Sequence, residues 1–238
     1  MKKLIFIKIV FNTFRFSDIR LDPEWIKYRM NIFMNYTCQS LINQTNQSFM
    51  CTLLYDKLSK EIIESELRKY PELPKNIVFE SNLNKLKDMV KSYDYVYEVR
   101  LDDDDMYHNS FTQQLLDYSP NPETQVLINQ KGYVYDIIND KLGKWYFEYP
   151  PFYTLIYKAS DYLNNVRYYL EGGHAGAIKL KYEVLESENY MVILHGKNTL
   201  NKFNSRNQVG VIEDLYEKNR ILNEFKVSCF DKRAYKNI

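Results

Sequence analysis

Glycine is scarce in this sequence: the 238 residues include 7 glycines, and these form no glycine-rich phosphate-binding loop. No G-x-S-x-G turn occurs either, so the serine hydrolases built on that turn are excluded. Long apolar runs are also missing, and no stretch approaches the roughly 20 apolar residues that a membrane-spanning helix needs. The first residues, MKKLIFIKIVF, resemble a signal peptide, but Lys8 interrupts the apolar run and no small-x-small cleavage site follows. We interpret them as a first buried strand.

Cysteine is scarcer still, with 3 residues at Cys38, Cys51 and Cys229. They form no metal-binding spacing and cannot all pair in disulfides, which favours a reducing compartment and predicts a cytoplasmic protein. Charge is close to balance, with 32 lysines and arginines against 31 aspartates and glutamates. Proteins that bind nucleic acid through its phosphates usually carry a clear positive excess, so nucleic acid is not an expected partner.

Apolar strands and amphipathic helices alternate along the first hundred residues. The pattern predicts strands at 3–11, 48–56, 77–80 and 93–101, and helices at 23–42, 58–70 and 82–92. This alternation predicts an α/β fold with a mainly parallel central sheet and helices on both faces. In such folds, ligands bind beyond the carboxyl ends of the strands.

The second half has a different pattern. Residues 132–152 alternate between apolar and polar, turn, and alternate again, which predicts a β-hairpin. A helix at 206–226 is expected to close the fold. We predict a single domain at 1–226, with a nucleotide-binding half at 1–105 and a second half at 106–226. Residues 227–238 form a basic tail.

Four consecutive aspartates, Asp102 to Asp105, follow the apolar strand YDYVYEVRL. Clustered carboxylates repel one another, and a divalent cation such as Mg²⁺ or Mn²⁺ would offset that repulsion through hard oxygen ligands. The alternative is a solvated acidic loop. A calcium-binding EF-hand is excluded, because Tyr107 stands where its glycine is required and Gln113 where its glutamate is required. A phosphatase D-x-D normally follows the first strand, whereas these acids follow roughly the fourth.

The segment VRLDDDD resembles the R-L-D-x-D-D segment of GT-A glycosyltransferases, in particular a bacterial rhamnosyltransferase family. Other segments of that family have counterparts here in the same order, namely TFRFSDIR, Trp25 and Arg29 in the first helix, SLINQTNQSF and LHGKN. The resemblance spans roughly residues 10–200. It implies a GT-A (Rossmann-like) fold whose hairpin lobe faces the acceptor. It also implies transfer of a sugar, rhamnose among the candidates, from a UDP- or dTDP-linked donor to a glycan or other hydroxyl acceptor.

The resemblance further implies a Mn²⁺ or Mg²⁺ site. Asp102 would lie near the ribose and the metal, and Asp104 would ligate the metal through the donor diphosphate. His195, at the end of a later strand, matches a third metal ligand, although a lone histidine is as often structural. Lys197 and Asn198 would reach the diphosphate, with a plain turn as the alternative.

The resemblance also assigns a pocket for the base of the nucleotide. Thr13 and Arg15 follow the first strand and Asp56 follows the second, at places where this fold binds the base. The Asp56 carboxylate would accept the imide N–H of uracil or thymine. Arg100 matches the arginine that precedes the family's aspartates, and the alternative for it is an internal ion pair.

Inversion at the sugar requires a base that takes the proton of the acceptor hydroxyl. The segment LEGGHAGAI provides two candidates: Glu171 fits the chemical type, and His174 fits the family's own pattern. The alternative is a glycine-rich turn with surface polar residues. Two other functions stay open, a catalytically inactive GT-A domain that binds sugar or protein, and a nucleotide-sugar hydrolase or metal-dependent phosphatase.

Overall fold

A computed structural model of the chain describes residues 1–13, 19–198 and 201–227. Residues 228–238 of the predicted tail lie outside these ranges. The described strands are β1 Lys3–Asn12, β2 Phe49–Tyr55, β3 Ile77–Glu80, β4 Tyr95–Leu101, β5 Asp105–Tyr107, β6 Val126–Ile128, β7 Lys131–Asp136, β8 Lys141–Tyr146, β9 Tyr153–Lys158, β10 Tyr182–Val184, β11 Tyr190–Leu194 and β12 Gln208–Val211. The described α-helices are α1 Pro23–Ile32, α2 Cys38–Ile42, α3 Lys60–Leu67, α4 Asn84–Val90, α5 Phe111–Asp117, α6 Ala159–Leu163 and α7 Leu215–Glu224.

The central sheet has seven strands in the order β10-β6-β9-β4-β1-β2-β3. β1 pairs in parallel with both β2 and β4, and β2 pairs in parallel with β3. β9 is antiparallel to its neighbours β4 and β6. A second sheet has the order β12-β8-β7-β11-β5, and within it β7 and β8 form the predicted hairpin. The predicted mainly parallel central sheet is confirmed.

β1 shows why the predicted layers form. Ile5, Ile7 and Ile9 pack on one face of the sheet with residues of α1 and α3. Leu4 and Phe6 pack on the other face with residues of α4 and α6. Both faces of a central parallel strand are buried, so its sequence is nearly continuously apolar. Helices therefore cover both faces of the sheet, as predicted.

The predicted helix at 23–42 is continuous but contains an irregular turn. It begins with Asp22, whose side chain accepts hydrogen bonds from the backbone N–H groups of Glu24 and Trp25 at 2.8 and 3.2 Å, and Pro23 occupies the first turn. Between α1 and α2, residues Phe33–Thr37 form a π-helical turn. Such turns are rare and occur frequently near functional sites.

The predicted closing helix at 206–226 is wrong in its first half. Gln208–Val211 is strand β12, which extends the second sheet by pairing antiparallel with β8. The helix begins only at Leu215, where the Asp214 side chain accepts the N–H of Glu217 at 2.6 Å. Pairing with a distant strand has overridden the local helical spacing. Among the described residues, no helix has both the length and the apolar composition needed to span a bilayer.

Candidate active site

The aspartates lie at the carboxyl edge of the central sheet, directly after β4. A cavity of about 670 Å³ opens there. Its lining includes all four aspartates and several cationic side chains. The described lining residues are Lys8, Val10, Ile19, Trp25, Arg29, Glu98, Val99, Arg100, Leu101, Asp102, Asp103, Asp104, Asp105, Tyr153, Leu155, Lys197, Asn198 and Asn201. The structure thus places the acids in a concave site, as expected for a ligand-binding edge.

Arg29 of helix α1 compensates two of the four negative charges. Its guanidinium holds Asp103 with two hydrogen bonds, one from Nε to Oδ2 at 2.9 Å and one from Nη2 to Oδ1. Its Nη1 donates to Oδ2 of Asp104 at 3.1 Å. Asp103 is 2% exposed, and burial raises the pKa of its carboxyl, whereas Arg29 opposes that rise. This paired geometry is the strong form of an arginine–carboxylate contact.

Asp104 also contacts His195, which the sequence predicted as its neighbour. The Asp104 Oδ2 and His195 Nε2 atoms are 3.2 Å apart. Burial favours the protonated carboxyl, but His195 and Arg29 outweigh it and lower the pKa of Asp104 to about 2. The carboxylate is therefore ionised at neutral pH, the form that binds a cation.

His195 is held from the opposite side of its ring by Tyr28 of α1. The Tyr28 hydroxyl lies 2.6 Å from Nδ1 and 3.1 Å from the carbonyl oxygen of His195. Because Nε2–H donates to Asp104 Oδ2, Nδ1 accepts the Tyr28 hydroxyl. A cation that took the place of the Nε2 proton would require the other tautomer, in which Nδ1–H donates to the Tyr28 oxygen. Asn198 fixes the following turn, because its side chain accepts the His195 N–H at 2.7 Å and donates to Ile193 O at 2.9 Å. Lys197 lies with Nζ 4.3 Å from the centroid of the Tyr28 ring.

The other two aspartates point to different partners. Asp102 pairs with Arg100 at 2.9 Å, and Arg100 also donates to the carbonyl of Pro151 at 2.8 Å. Asp105 is buried and accepts the N–H of Ile193 at 3.4 Å, and burial raises its pKa well above the usual range. The alternative of an internal ion pair, left open for Arg100, is therefore present.

The predicted metal ligands converge only in part. In the described residues, no three histidine, cysteine, aspartate or glutamate side chains come together as a metal-binding group. Asp104 and His195 do present two ligand atoms 3.2 Å apart, a separation that one cation can bridge. Mg²⁺ usually takes one or two protein carboxylates and completes its coordination with water and substrate phosphates. The residues present therefore fit a cation that binds together with a diphosphate.

Neither Thr13 nor Asp56, of the predicted base pocket, is among the described residues that line the cavity. Both oxygens of the Asp56 carboxylate already have partners: Oδ2 accepts Nε of Arg20 at 2.6 Å, and Oδ1 accepts the N–H of Leu58 at 2.9 Å. The hydrogen bond from Arg20, followed by the one from Leu58, lowers the pKa of Asp56. Arg15 lies outside the described residues. The nucleotide-binding roles of Thr13, Arg15 and Asp56 stay predictions.

The two candidate bases differ in their surroundings. Glu171 is exposed and forms a surface ion pair with Lys179 at 2.6 Å. His174 lies edge-on to Phe147, with ring centroids 6.5 Å apart, in the 3₁₀ turn Gly173–Lys179, which begins at the second of two glycines with positive φ. Burial and the charge of Arg100 lower the pKa of His174, and Asp102 opposes that shift. Neither Glu171 nor His174 is among the described residues that line the cavity.

The sequence indicated no role for Lys8 or Glu98. It indicated Arg29 only as one of the residues that carry the family resemblance. Lys8 and Glu98 are charged residues within buried strands, and this interruption of an apolar pattern was the available signal. Arg29 gave a weaker signal, because a cation on one face of an amphipathic helix is usually solvated. All three line the cavity.

The mainly parallel central sheet, with the acids at its carboxyl edge, is the arrangement that the sequence predicted. Residues 14–134, just over half of the chain, match the family described as "putative rhamnosyl transferase". The chain belongs to this family. Its sequence matches no curated protein.

Several solved structures of S. aureus TarS are similar to this chain. TarS 1-349 gives a TM-score of 0.41 at 13% identity, covering 81% of this chain and 60% of that one. Its complex with UDP gives 0.43 at 14%, covering 82% and 61%. Its complex with UDP-GlcNAc gives 0.45 at 13%, covering 99% and 69%. In the first two comparisons, the chain spans about three fifths of the length of the TarS fragment.

Proposed function

We propose that the chain transfers a sugar from a UDP- or dTDP-linked donor to a hydroxyl group of a glycan or other acceptor. The observation that carries the proposal is the cavity at the carboxyl edge of β4. There, ionised Asp104 lines the cavity together with Arg29 and Lys197, and buried His195 contacts Asp104 from behind. Carboxylates interleaved with cations suit a nucleotide diphosphate that enters with a divalent ion. Membership of the rhamnosyl transferase family makes rhamnose a candidate sugar.

The proposal includes Mn²⁺ or Mg²⁺ as cofactor. Asp104 and His195 would hold the ion, and Asp102, kept at the rim by Arg100, would lie towards the ribose. A bound cation would stabilise the leaving diphosphate as a Lewis acid. Lys197, which lines the cavity, would neutralise further phosphate charge.

We assign the base of an inverting reaction to His174 rather than Glu171. The lowered pKa of His174 leaves its imidazole neutral near pH 7, and only the neutral form can take a proton from the acceptor hydroxyl. Arg100 and Asp102 couple His174 to the donor end of the site. The Glu171 carboxylate is instead bound to Lys179 at the surface.

Nucleotide binding with and without metal tests the proposal directly. The protein is heated with UDP, dTDP, UDP-glucose, UDP-GlcNAc and dTDP-rhamnose, in Mn²⁺ and in EDTA. A ligand that binds only the folded chain at a hundred times its Kd adds about 2.7 kcal/mol to the free energy of unfolding. We expect a higher melting temperature with at least one nucleotide in Mn²⁺, and a smaller increase in EDTA.

Three results would count against parts of the proposal. Equal stabilisation in EDTA would show that the nucleotide binds without a cation. No stabilisation by any nucleotide would refute the proposed donor site. Release of free sugar from the donor at the same rate without acceptor would indicate a hydrolase. The variant Asp104→Asn should lose the effect of Mn²⁺, whereas Lys131→Met, which breaks a surface ion pair with Glu186, should keep it.

A further inference from the structure

The inner wall of the cavity carries an ion pair that the proposed chemistry does not use. Lys8 of β1 and Glu98 of β4 face the cavity from the same side of the central sheet, and Nζ of Lys8 lies 3.4 Å from Oε1 of Glu98. Their side chains are 34% and 12% exposed. Both residues interrupt strands that are otherwise mostly apolar. A charged side chain in such a position costs free energy of folding unless it is paired or hydrogen-bonded.

The Glu98 carboxylate is fixed by the structure beneath it. Its Oε2 accepts the hydroxyl of Tyr162 at 2.7 Å, and Tyr162 is 2% exposed. The guanidinium of Arg167 lies 3.6 Å from the centroid of the Tyr162 ring and holds that ring in place. The second oxygen, Oε1, contacts only the Lys8 ammonium among the described residues, and at a long distance. One acceptor with unused capacity and an ammonium with three donors therefore face the cavity.

The position of the pair relative to the proposed reaction centre indicates what it contacts, and this step rests on the proposed function. The diphosphate would lie at Asp104 and His195, and the acceptor hydroxyl would lie near His174, on which the charges of Arg100 and Asp102 act. In an inverting transfer the sugar lies between its leaving group and the attacking hydroxyl. The sugar is therefore expected over the β4 strand, on the face that carries Glu98.

We propose that Lys8 and Glu98 determine donor specificity by hydrogen bonding to hydroxyl groups of the transferred sugar. Glu98 Oε1 accepts from one hydroxyl, and Lys8 donates to the oxygen of the same or a neighbouring hydroxyl. Tyr162 holds the carboxylate in position. Sites built to hydrogen-bond a hydroxyl discriminate strongly against ligands that lack it, because the buried polar group is then left unpaired.

Calorimetric titration separates this proposal from the proposed function. UDP, dTDP, UDP-glucose, UDP-GlcNAc and dTDP-rhamnose are titrated in Mn²⁺ into the wild type, Glu98→Gln and Lys8→Met. Glu98→Gln keeps a hydrogen-bond acceptor for the Tyr162 hydroxyl and is expected to fold. It therefore still tests the proposal if Lys8→Met fails to fold. Lys131→Met serves as the matched control, because its ion pair with Glu186 lies on the surface. The melting temperature of each variant reports folding.

We expect the variants to bind UDP and dTDP as the wild type does, within about twofold. Their affinity for the preferred nucleotide sugar should fall about tenfold to a hundredfold, the range for a hydrogen bond to a charged group. Equal losses for UDP and its sugar form would place the pair at the nucleoside and overturn the proposal. Unchanged affinity for every nucleotide sugar would overturn it too. A wild type that binds no nucleotide would instead refute the proposed function.

Discussion

Replacing Arg29 with glutamine should destabilise the chain more than any surface substitution. The guanidinium supplies two hydrogen bonds to Asp103 and one to Asp104, and glutamine can replace at most one of them. Asp103 is 2% exposed, so its carboxylate would be left buried without a counter-charge. Removing one partner of a buried ion pair costs about 3–5 kcal/mol. For a chain of this length, the melting temperature should fall by roughly 6–20 °C.

Urea denaturation at pH 6 and pH 8 provides the assay. Without Arg29, the pKa of Asp103 rises further above its unfolded value, and stability then falls as pH increases towards it. The loss should therefore be greater at pH 8 than at pH 6. The double variant Arg29→Gln/Asp103→Asn removes both charges and should recover at least half of the loss. A single-variant loss below about 1 kcal/mol, the value for exposed pairs, would refute the reasoning.

Three further predictions concern the site. Asp56→Asn keeps the cap but loses a charge whose pKa is lowered, so it should cost about 1–2 kcal/mol at pH 7 and progressively less below pH 4. Urea denaturation at pH 7 and below pH 4 measures this. The same loss of unfolding free energy under both conditions would contradict the prediction. His174→Ala should reduce kcat at least about a hundredfold, whereas Glu171→Ala should change it less than about twofold; the reverse order of effects would make Glu171 the base. Asp104→Asn and His195→Ala should each abolish most transfer, and the double variant should be little worse than either, because both act through one ion. If the loss in steady-state rate of the double variant equalled the product of the two single losses, the two residues would act separately.

The sequence predicted the parts of the structure that depend on local pattern. The first four strands, the helices between them and the hairpin follow from apolar spacing, and the contact between Asp104 and His195 was also predicted. The ion pair between Arg29 and Asp103 was not predicted, because 74 residues separate the partners and spacing gives no information on such a pairing. Strand β12 was predicted as helix, since its partner β8 lies far away in sequence.

The pairing of strand β5 has a consequence for how the chain folds during synthesis. β5, Asp105–Tyr107, begins at the boundary predicted between the two halves and pairs with β11 of the second half. Asp105 accepts the N–H of Ile193, which lies 88 residues further along the chain. Asp104 contacts His195, which lies 91 residues further along. At ribosomal speeds of about 5–20 residues per second, these partners arrive roughly 5 to 20 seconds after the aspartates.

Until then, the nascent first half carries its acids in water, with only the arginines of that half to pair with them. Its sheet can form early, because β1 to β4 are nearly contiguous in the chain. The contact between Asp104 and His195 forms only when β11 docks, so a released fragment of residues 1–105 would lack it. The candidate site is therefore assembled only after β11 has been synthesised, in one docking step.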